Sequence, residues 1–417
     1  PNIILRREFI MSEIQMLKDS IKSVLRELEY QKYSKGAIKV YSIIYNGILK
    51  YIQANKISSF NEKVCIKYVF FRTGYKIDGF YGAGNRKLST VMKPLQVLLD
   101  YIQTGTVKFK MRPKIPPYRC PAQFKEEYFA FQEELVCREY ARSTVTSNTD
   151  KVNKFLTFLE TYRVNCSKSI HAEHLTVFLS NYKNHKPRYI ATIISVLRNY
   201  LAFLYDQGFT DKDISKSLPR VRITRNAFIP YSWNTEDVKK LLKAIDRSDP
   251  KGKRDYAILL LVVRLGLRVS DIRGLKFHNL NWSRKTISLT MQKTKNPLKL
   301  PLLDDIGWAI IDYLKNGRPE TKCDVVFVRH RAPYDSFGEN ECFQRELHRY
   351  MVKAGLKIPL DFHCGLHSLR STLARNMLEA RVPLPVISEV LGHQSINTTS
   401  IYLKIDLDGL KRCALDP

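Results

Sequence analysis

The chain has no paired-cysteine motif and no apolar run of membrane length, and it is poor in acid. Its eight cysteines (Cys65, Cys120, Cys137, Cys166, Cys323, Cys342, Cys364 and Cys413) are scattered with no CxxC spacing. That argues against a zinc module or a disulfide framework and for reduced, structural thiols. His363, Cys364 and His367 crowd together in FHCGLH. Three such bunched groups lack a fourth ligand and a workable spacing, so no metal is expected there. The most apolar stretch, YAILLLVV from Tyr256 to Val263, is far too short to cross a bilayer. No signal peptide stands out, so a cytoplasmic location is expected. Met11 is read as the natural initiator, with PNIILRREFI as upstream sequence.

The shortage of acid is the strongest bulk signal. Against 40 acidic residues stand 69 basic ones, a formal charge of +29 on 417 residues. A pI near 9.7 on a chain this large favours a polyanionic partner, and nucleic acid comes first. An anionic membrane surface is the competitor, but no basic amphipathic anchor stands out. The length calls for two or three domains.

Between Val107 and Gln123 the sequence VKFKMRPKIPPYRCPAQ is basic and proline-rich. Proline removes backbone donors and restricts its predecessor, so an extended linker that can lie along a phosphate backbone is expected. Lys108, Lys110, Arg112 and Lys114 are its candidate DNA contacts. A second linker, KSLPRVRITRNAFIP from Lys216 to Pro230, offers Arg220, Arg222 and Arg225. These cuts define three blocks: a helical block 11–108, a second one 122–218, and a mixed block 230–417, with linkers 109–121 and 219–229.

The first two blocks resemble each other. YSKGAIKVYSIIYNGILKYI (Tyr33 to Ile52) parallels YARSTVTSNTDKVNKFLTFL (Tyr140 to Leu159), with Ile48, Leu49, Tyr51 and Ile52 matching Phe155, Leu156, Phe158 and Leu159. STVMKPLQVLLDYI (Ser89 to Ile102) likewise parallels ATIISVLRNYLAFL (Ala191 to Leu204). Either two helical modules of one kind are present, or any two amphipathic helices would look this similar. The glycine-rich GFYGAGNR (Gly79 to Arg86) lacks the Lys-Ser/Thr ending of a phosphate loop. Arg142 and the Lys186-Pro187-Arg188 stretch add basic candidates in the second block.

In the third block, RDYAILLLVVRLG (Arg254 to Gly266) reads as a buried helix running into a turn, and VSDIRGLKF as continuing helix. TISLTMQKTKNPLKLPLL (Thr286 to Leu303) alternates around KTKNP, a hairpin signature. From Ile306 the pattern is helical again. Four stretches carry basic or nucleophilic residues: Arg268 at a glycine turn, Lys293 and Lys295 on the hairpin, His367 and Arg370 on one helical face, and His393 nine residues before Tyr402. Taken singly, each has a plain structural explanation: a surface ion pair, a solvated lysine, a capped helix, a core tyrosine. Their ordered combination does not.

In that order and spacing, LGLRVSDIRGLKF, TMQKTKNPLKLPL, GLHSLRSTLA and LGHQSINTTSIYL resemble the signature boxes of the tyrosine recombinase family, the phage-integrase and Xer-like enzymes. The likeness spans about 190 residues of the third block and, more weakly, 122–218. Ser368 inside His-x-x-Arg and Arg264-Leu265 before the turn depart from the usual pattern without touching a catalytic position. The resemblance implies a mainly α fold with a small antiparallel sheet (α+β) in the catalytic domain, and helical N-terminal domains forming with it a C-shaped clamp on DNA. It implies Tyr402 as nucleophile, Arg268 and Arg370 on the phosphate, and Lys293 (or Lys295, were the hairpin register off by two) as proton donor. His367 is the implied base, His393 a supporter of the phosphate, and Asp271 the residue orienting Arg268. No cofactor or metal is implied. The expected partners are double-stranded DNA at specific recombination sites, three further copies of the chain in a tetramer, and accessory DNA-bending or directionality proteins, with no membrane. The expected setting is a bacterial, nucleoid-associated integrase or transposase of a mobile element. Type IB topoisomerase-like relaxation and a catalytically silent DNA-binding protein are the alternatives. The tail from Tyr402 to Pro417 packs either on its own chain or on a neighbour.

Overall fold

The computed structural model describes residues 2–77, 79, 86–107, 120–220, 230–339, 341–356 and 365–405. Lys108, Lys110, Arg112, Lys114, Arg222, Arg225, His363, Cys364, most of GFYGAGNR and the tail beyond Ile405 lie outside them. The chain forms two compact units, one from the described residues of Pro1–Lys50 and Asn226–Pro417, the other from those of Tyr51–Arg225.

Helices α1 (Asn2–Tyr30) and α2 (Lys35–Ala54) open the chain. In α2, Tyr41, Ile44, Tyr45, Ile48 and Ile52 are buried at three- and four-residue steps, a single apolar stripe. Helix α3 (Glu62–Thr73) starts where the Asn61 side chain accepts the Val64 N–H, and stops at Gly74 in the left-handed region. Helix α4 (Arg86–Thr104) follows. After the first linker come α5 (Lys125–Cys137), α6 (Arg142–Thr161), α7 (Ala172–Ser180) and α8 (Pro187–Asp206). They close around Phe131, Phe155, Leu156, Leu197, Tyr200 and Leu204. The paired stretches noted in the sequence both fold as 20-residue helices, α2 and α6. Ile48 and Ile52 are buried with Leu49 and Tyr51 half-buried; Phe155, Leu156 and Leu159 are buried with Phe158 half-buried.

The remaining elements carry the mixed block. They are α9 (Thr235–Lys243), α10 (Pro250–Leu265), α11 (Val269–Arg273), strands β1 (Leu280–Asn281), β2 (Thr286–Thr290) and β3 (Pro297–Pro301), and helices α12 (Asp304–Asn316), α13 (Gln344–Lys353), α14 (Leu366–Glu379), α15 (Leu384–Val390) and α16 (Ile396–Thr399). The sheet is antiparallel in the order β1-β2-β3. Ile287 pairs with Leu300, and Leu289 with Leu298, so one face of the hairpin is apolar. Helix α10 is central, with Ala257 to Val262 all buried in the core. No helix among the described residues is long and apolar enough to cross a membrane.

Two local expectations change. VSDIRGLKF is helical only to Arg273, because Gly274 ends α11 and the chain turns into a 3₁₀ segment, Phe277–Asn279. A Cβ on Gly274 would lie 2.6 Å from the Gln292 amide nitrogen, so glycine lets the hairpin approach. The helix that holds Ile306 stops at Asn316, and the described residues between it and α13 form no further helix.

Candidate active site

Helix α10 ends on Gly266 at φ +63, and a Cβ there would lie 2.7 Å from Leu391 Cδ2. That left-handed residue reverses the chain within two residues and sets Arg268 as N-cap of α11. The Arg268 side chain is half-buried. Its Nη1 donates to the Met291 thioether at 3.1 Å and its Nη2 to the Gly392 carbonyl at 3.4 Å.

The second arginine comes from α14. Arg370 is 3% exposed, and its two terminal nitrogens donate to the backbone carbonyls of Gly266 and Leu391. Burial, and Arg268 beside it, press its pKa down to about 10, while Tyr402 and Asp271 act in the opposite sense. It therefore stays charged at neutral pH. Both guanidiniums are held by uncharged acceptors, which orient the fork and leave its charge unneutralised.

His367 sits one turn before Arg370 on α14. Its ring is exposed, yet enough protein surrounds it for desolvation to lower its pKa, with Arg370, Arg268 and Lys293 pushing the same way. Lys293 is exposed on the hairpin turn, closed by Met291 N–H to Asn296 O and Lys295 N–H to Met291 O, both 2.9 Å. Lys295 is exposed too, at φ +60. The hairpin root is pinned to α11, since the Gln292 N–H donates to Asp271 Oδ1 at 2.8 Å. The hydrogen bond of Asp271 thus goes to the lysine turn, while sulfur and a carbonyl meet Arg268.

The closing stretch folds as a second left-handed turn, Gly392 at φ +58, followed by α16 with Ser395 as N-cap and a 3₁₀ turn, Ser400–Ile405. His393 Nδ1 lies 2.7 Å from Thr399 Oγ1, which is fully buried. Its ring stacks on Tyr402 with centroids 6.1 Å apart and planes at 20°. Burial, then Arg370, Arg268 and His367, hold the His393 pKa down at about 4. Tyr402 is 3% exposed and packs with Ala374, Ile387 and Leu391. One chain therefore brings together two arginines, a lysine, two neutral imidazoles and a phenol, a set suited to an oxyanion-rich centre such as a phosphodiester.

The family profile described as phage integrase family matches residues 233–407, and that described as phage integrase, N-terminal SAM-like domain, matches residues 130–208. The chain belongs to the phage integrase family. Among family relatives, the chain is 32% identical to the integrase/recombinase y4rA of Sinorhizobium fredii over 71% of each protein. It is 28% identical to the tyrosine recombinase XerC of Psychromonas ingrahamii, over 64% of this chain and 88% of that one. Among integrase-family structures, it is similar to XerH site-specific recombinase in a post-cleavage complex with palindromic difH substrate (TM-score 0.55, 20% identity, 66% of this chain and 80% of that one). It is similar also to a lambda integrase tetramer bound to a Holliday junction (TM-score 0.51, 16% identity, 65% and 77%). A third is the Tn1549 transposon integrase with circular intermediate DNA (TM-score 0.50, 13% identity, 66% and 94%). These likenesses establish the fold.

In the other unit, Arg142 begins α6, Lys186 and Arg188 flank Pro187 at the start of α8, and Arg220 follows the last 3₁₀ turn; all four are exposed. Sequence reasoning passed over Met291, Thr399 and Trp233. The Trp233 indole N–H donates to Ser368 Oγ at 2.6 Å, its backbone N–H to Thr372 Oγ1 at 2.8 Å, and its carbonyl accepts from Arg375 Nη2 at 2.8 Å. The departure at Ser368 was the available signal: a hydroxyl inside His-x-x-Arg has a partner of its own.

Proposed function

We propose that this protein is a site-specific DNA recombinase of a mobile element, working through a covalent 3′-phosphotyrosyl intermediate without metal or ATP. The observation that carries the reading is Tyr402 set against Arg370 and His393 of its own chain. The Tyr402 oxygen attacks the scissile phosphorus as His367 accepts its proton. The bond from phosphorus to the 5′ oxygen breaks, and Lys293 protonates that oxygen. Lys293 is favoured over Lys295 because its charge reaches His367. Arg268 and Arg370 offset charge on the non-bridging oxygens, and His393 hydrogen-bonds the phosphate. Attack by a partner strand's 5′ hydroxyl reverses the step, so the bond energy is kept.

Four protomers on two DNA sites exchange strands in two rounds through a Holliday junction; the named states of lambda integrase and of the Tn1549 integrase support this assembly and the mobile-element setting by likeness of fold. Residues 122–218 act as the core-binding domain, 11–108 as a further module of the same kind, and 230–417 as the catalytic domain. Arg142, Lys186, Arg188 and Arg220, with the linker bases, contact phosphates, and the bacterial nucleoid is the setting.

The test uses a pool of nicked duplexes of randomised sequence, on which cleavage strands the protein covalently. The native chain is expected to form adducts stable to denaturation, and Tyr402→Phe to bind DNA without forming any. No adduct from the native chain, or equal yields from both, refutes the assignment. Plasmid relaxation by monomers, without joined sites, would instead mark a topoisomerase.

A further inference from the structure

Met291 touches three parts of the active site. Its sulfur accepts from Arg268 Nη1 at 3.1 Å. It fills the space beside Gly392, where a Cβ would come within 2.4 Å of both its Sδ and Cε. It also opens the turn that carries Lys293, two residues on, and Thr294 Oγ1 points back at its sulfur, 3.7 Å away. At 1% exposure it is buried within the core, yet its polar atom meets the proposed phosphate-binding arginine. We propose that Met291 is a positioning residue for the cleavage reaction, whose thioether orients Arg268 as a neutral acceptor and fixes the lysine turn against the Gly392-His393 turn.

The physical reason lies in the choice of acceptor. A carboxylate in this place would orient Arg268 better but form an ion pair with it, and the substrate phosphate would then compete with that partner. A hydrocarbon would fill the volume and leave the guanidinium unaligned. A thioether is polarizable, uncharged and long enough to reach. The nearby carboxylate, Asp271, instead gives its Oδ1 to the Gln292 backbone N–H. Rotation of Met291 away from Gly392 would move the root of the lysine turn and the first arginine together.

This role rests on the recombinase reading, and the experiment separates the two. Adduct formation on the randomised nicked duplexes is followed as a single-turnover rate for the native chain, Met291→Leu and Met291→Gln, with thermal melting of each. Leucine keeps the apolar volume; glutamine has nearly the length of methionine and restores an uncharged acceptor in a poorer core residue. The expected order of rates is native, then Gln within about three-fold, then Leu slower by about ten-fold or about 1.4 kcal/mol in barrier, while Leu melts higher than Gln. Packing alone predicts the opposite order of rates, and Leu at or above Gln overturns the proposal. In an Arg268→Lys background the Leu and Gln variants should cleave at equal rates; a persisting difference between them also overturns it. Absence of adduct from the native chain sinks the recombinase reading and this role with it.

Discussion

Gly266→Ala is expected to damage both stability and cleavage. The residue sits at φ +63, which costs an L side chain about 1–2 kcal/mol. Its new methyl would also lie 2.7 Å from Leu391 Cδ2 and 3.1 Å from Leu373 Cδ2, an overpacking worth a further ~1–3 kcal/mol. Gly355 provides the control, because its φ is +67 and nothing lies within 4 Å of a Cβ there. Gly355→Ala therefore carries only the conformational cost. The difference, about 1–3 kcal/mol, corresponds to roughly 2–12 °C in Tm at about 2–4 °C per kcal/mol. Circular dichroism melting of the full chain reads it directly. Because the carbonyls of Gly266 and Leu391 are both acceptors of Arg370, adduct formation should also fall by ten-fold or more, with DNA binding retained. Equal melting of the two alanine variants would refute the packing argument, and a native cleavage rate in Gly266→Ala would refute the role of that turn in aligning Arg370.

Two further outcomes follow from the histidines and from Trp233. The His393 pKa is held at about 4 by burial and by Arg370, Arg268 and His367, and that of His330 at about 4 by burial and Arg254. The unfolded chain takes up these protons near pH 6.5 and the folded one does not, so stability should fall as pH drops from about 6.5 towards 4. Urea titrations should show a shallower fall in His393→Asn combined with His330→Asn, and an unchanged slope would contradict the assignment. Trp233→Phe keeps the ring but deletes the indole donor to Ser368, at a cost of ~1 kcal/mol. Ser368→Ala breaks the same bond, so the double variant should lose less than the sum; strict additivity would show the bond to be idle.

The placement of the candidate side chains was legible because each sits in a short stretch whose local geometry has a sequence signature. Gly266 two residues before Arg268 announces a reversal, and the three-residue step from His367 to Arg370 places them on one face of α14. The hairpin alternation from Thr286 to Leu303 gives the sheet pairing. Their holders were not legible. Arg370 rests on two backbone carbonyls, one of them 104 residues away, and a carbonyl is present at every position of any chain. Asp271 shows the limit of spacing alone: three residues after Arg268 suggests a partner for it, but the end of α11 at Gly274 brings the hairpin closer, and the Gln292 N–H takes one carboxylate oxygen, Oδ1. Met291 looks like an ordinary strand-end apolar residue until the fold brings Gly392 against it.

The cluster that seats Tyr402 is small and distinct from the main core. Ala374, Ile387, Leu391 and Tyr402 form it, whereas α10, the sheet and α12 to α13 close around a far larger set of side chains. Local opening free energy follows the apolar contacts that opening must break. The segment from Ser395 to Ile405 should therefore exchange its amide hydrogens through an opening well below the global unfolding free energy, while α10 exchanges only when the whole unit unfolds. The proposed nucleophile would then be rationed by the stability of its own short lever, and the arginines proposed to meet the phosphate would keep their shape through each release and return.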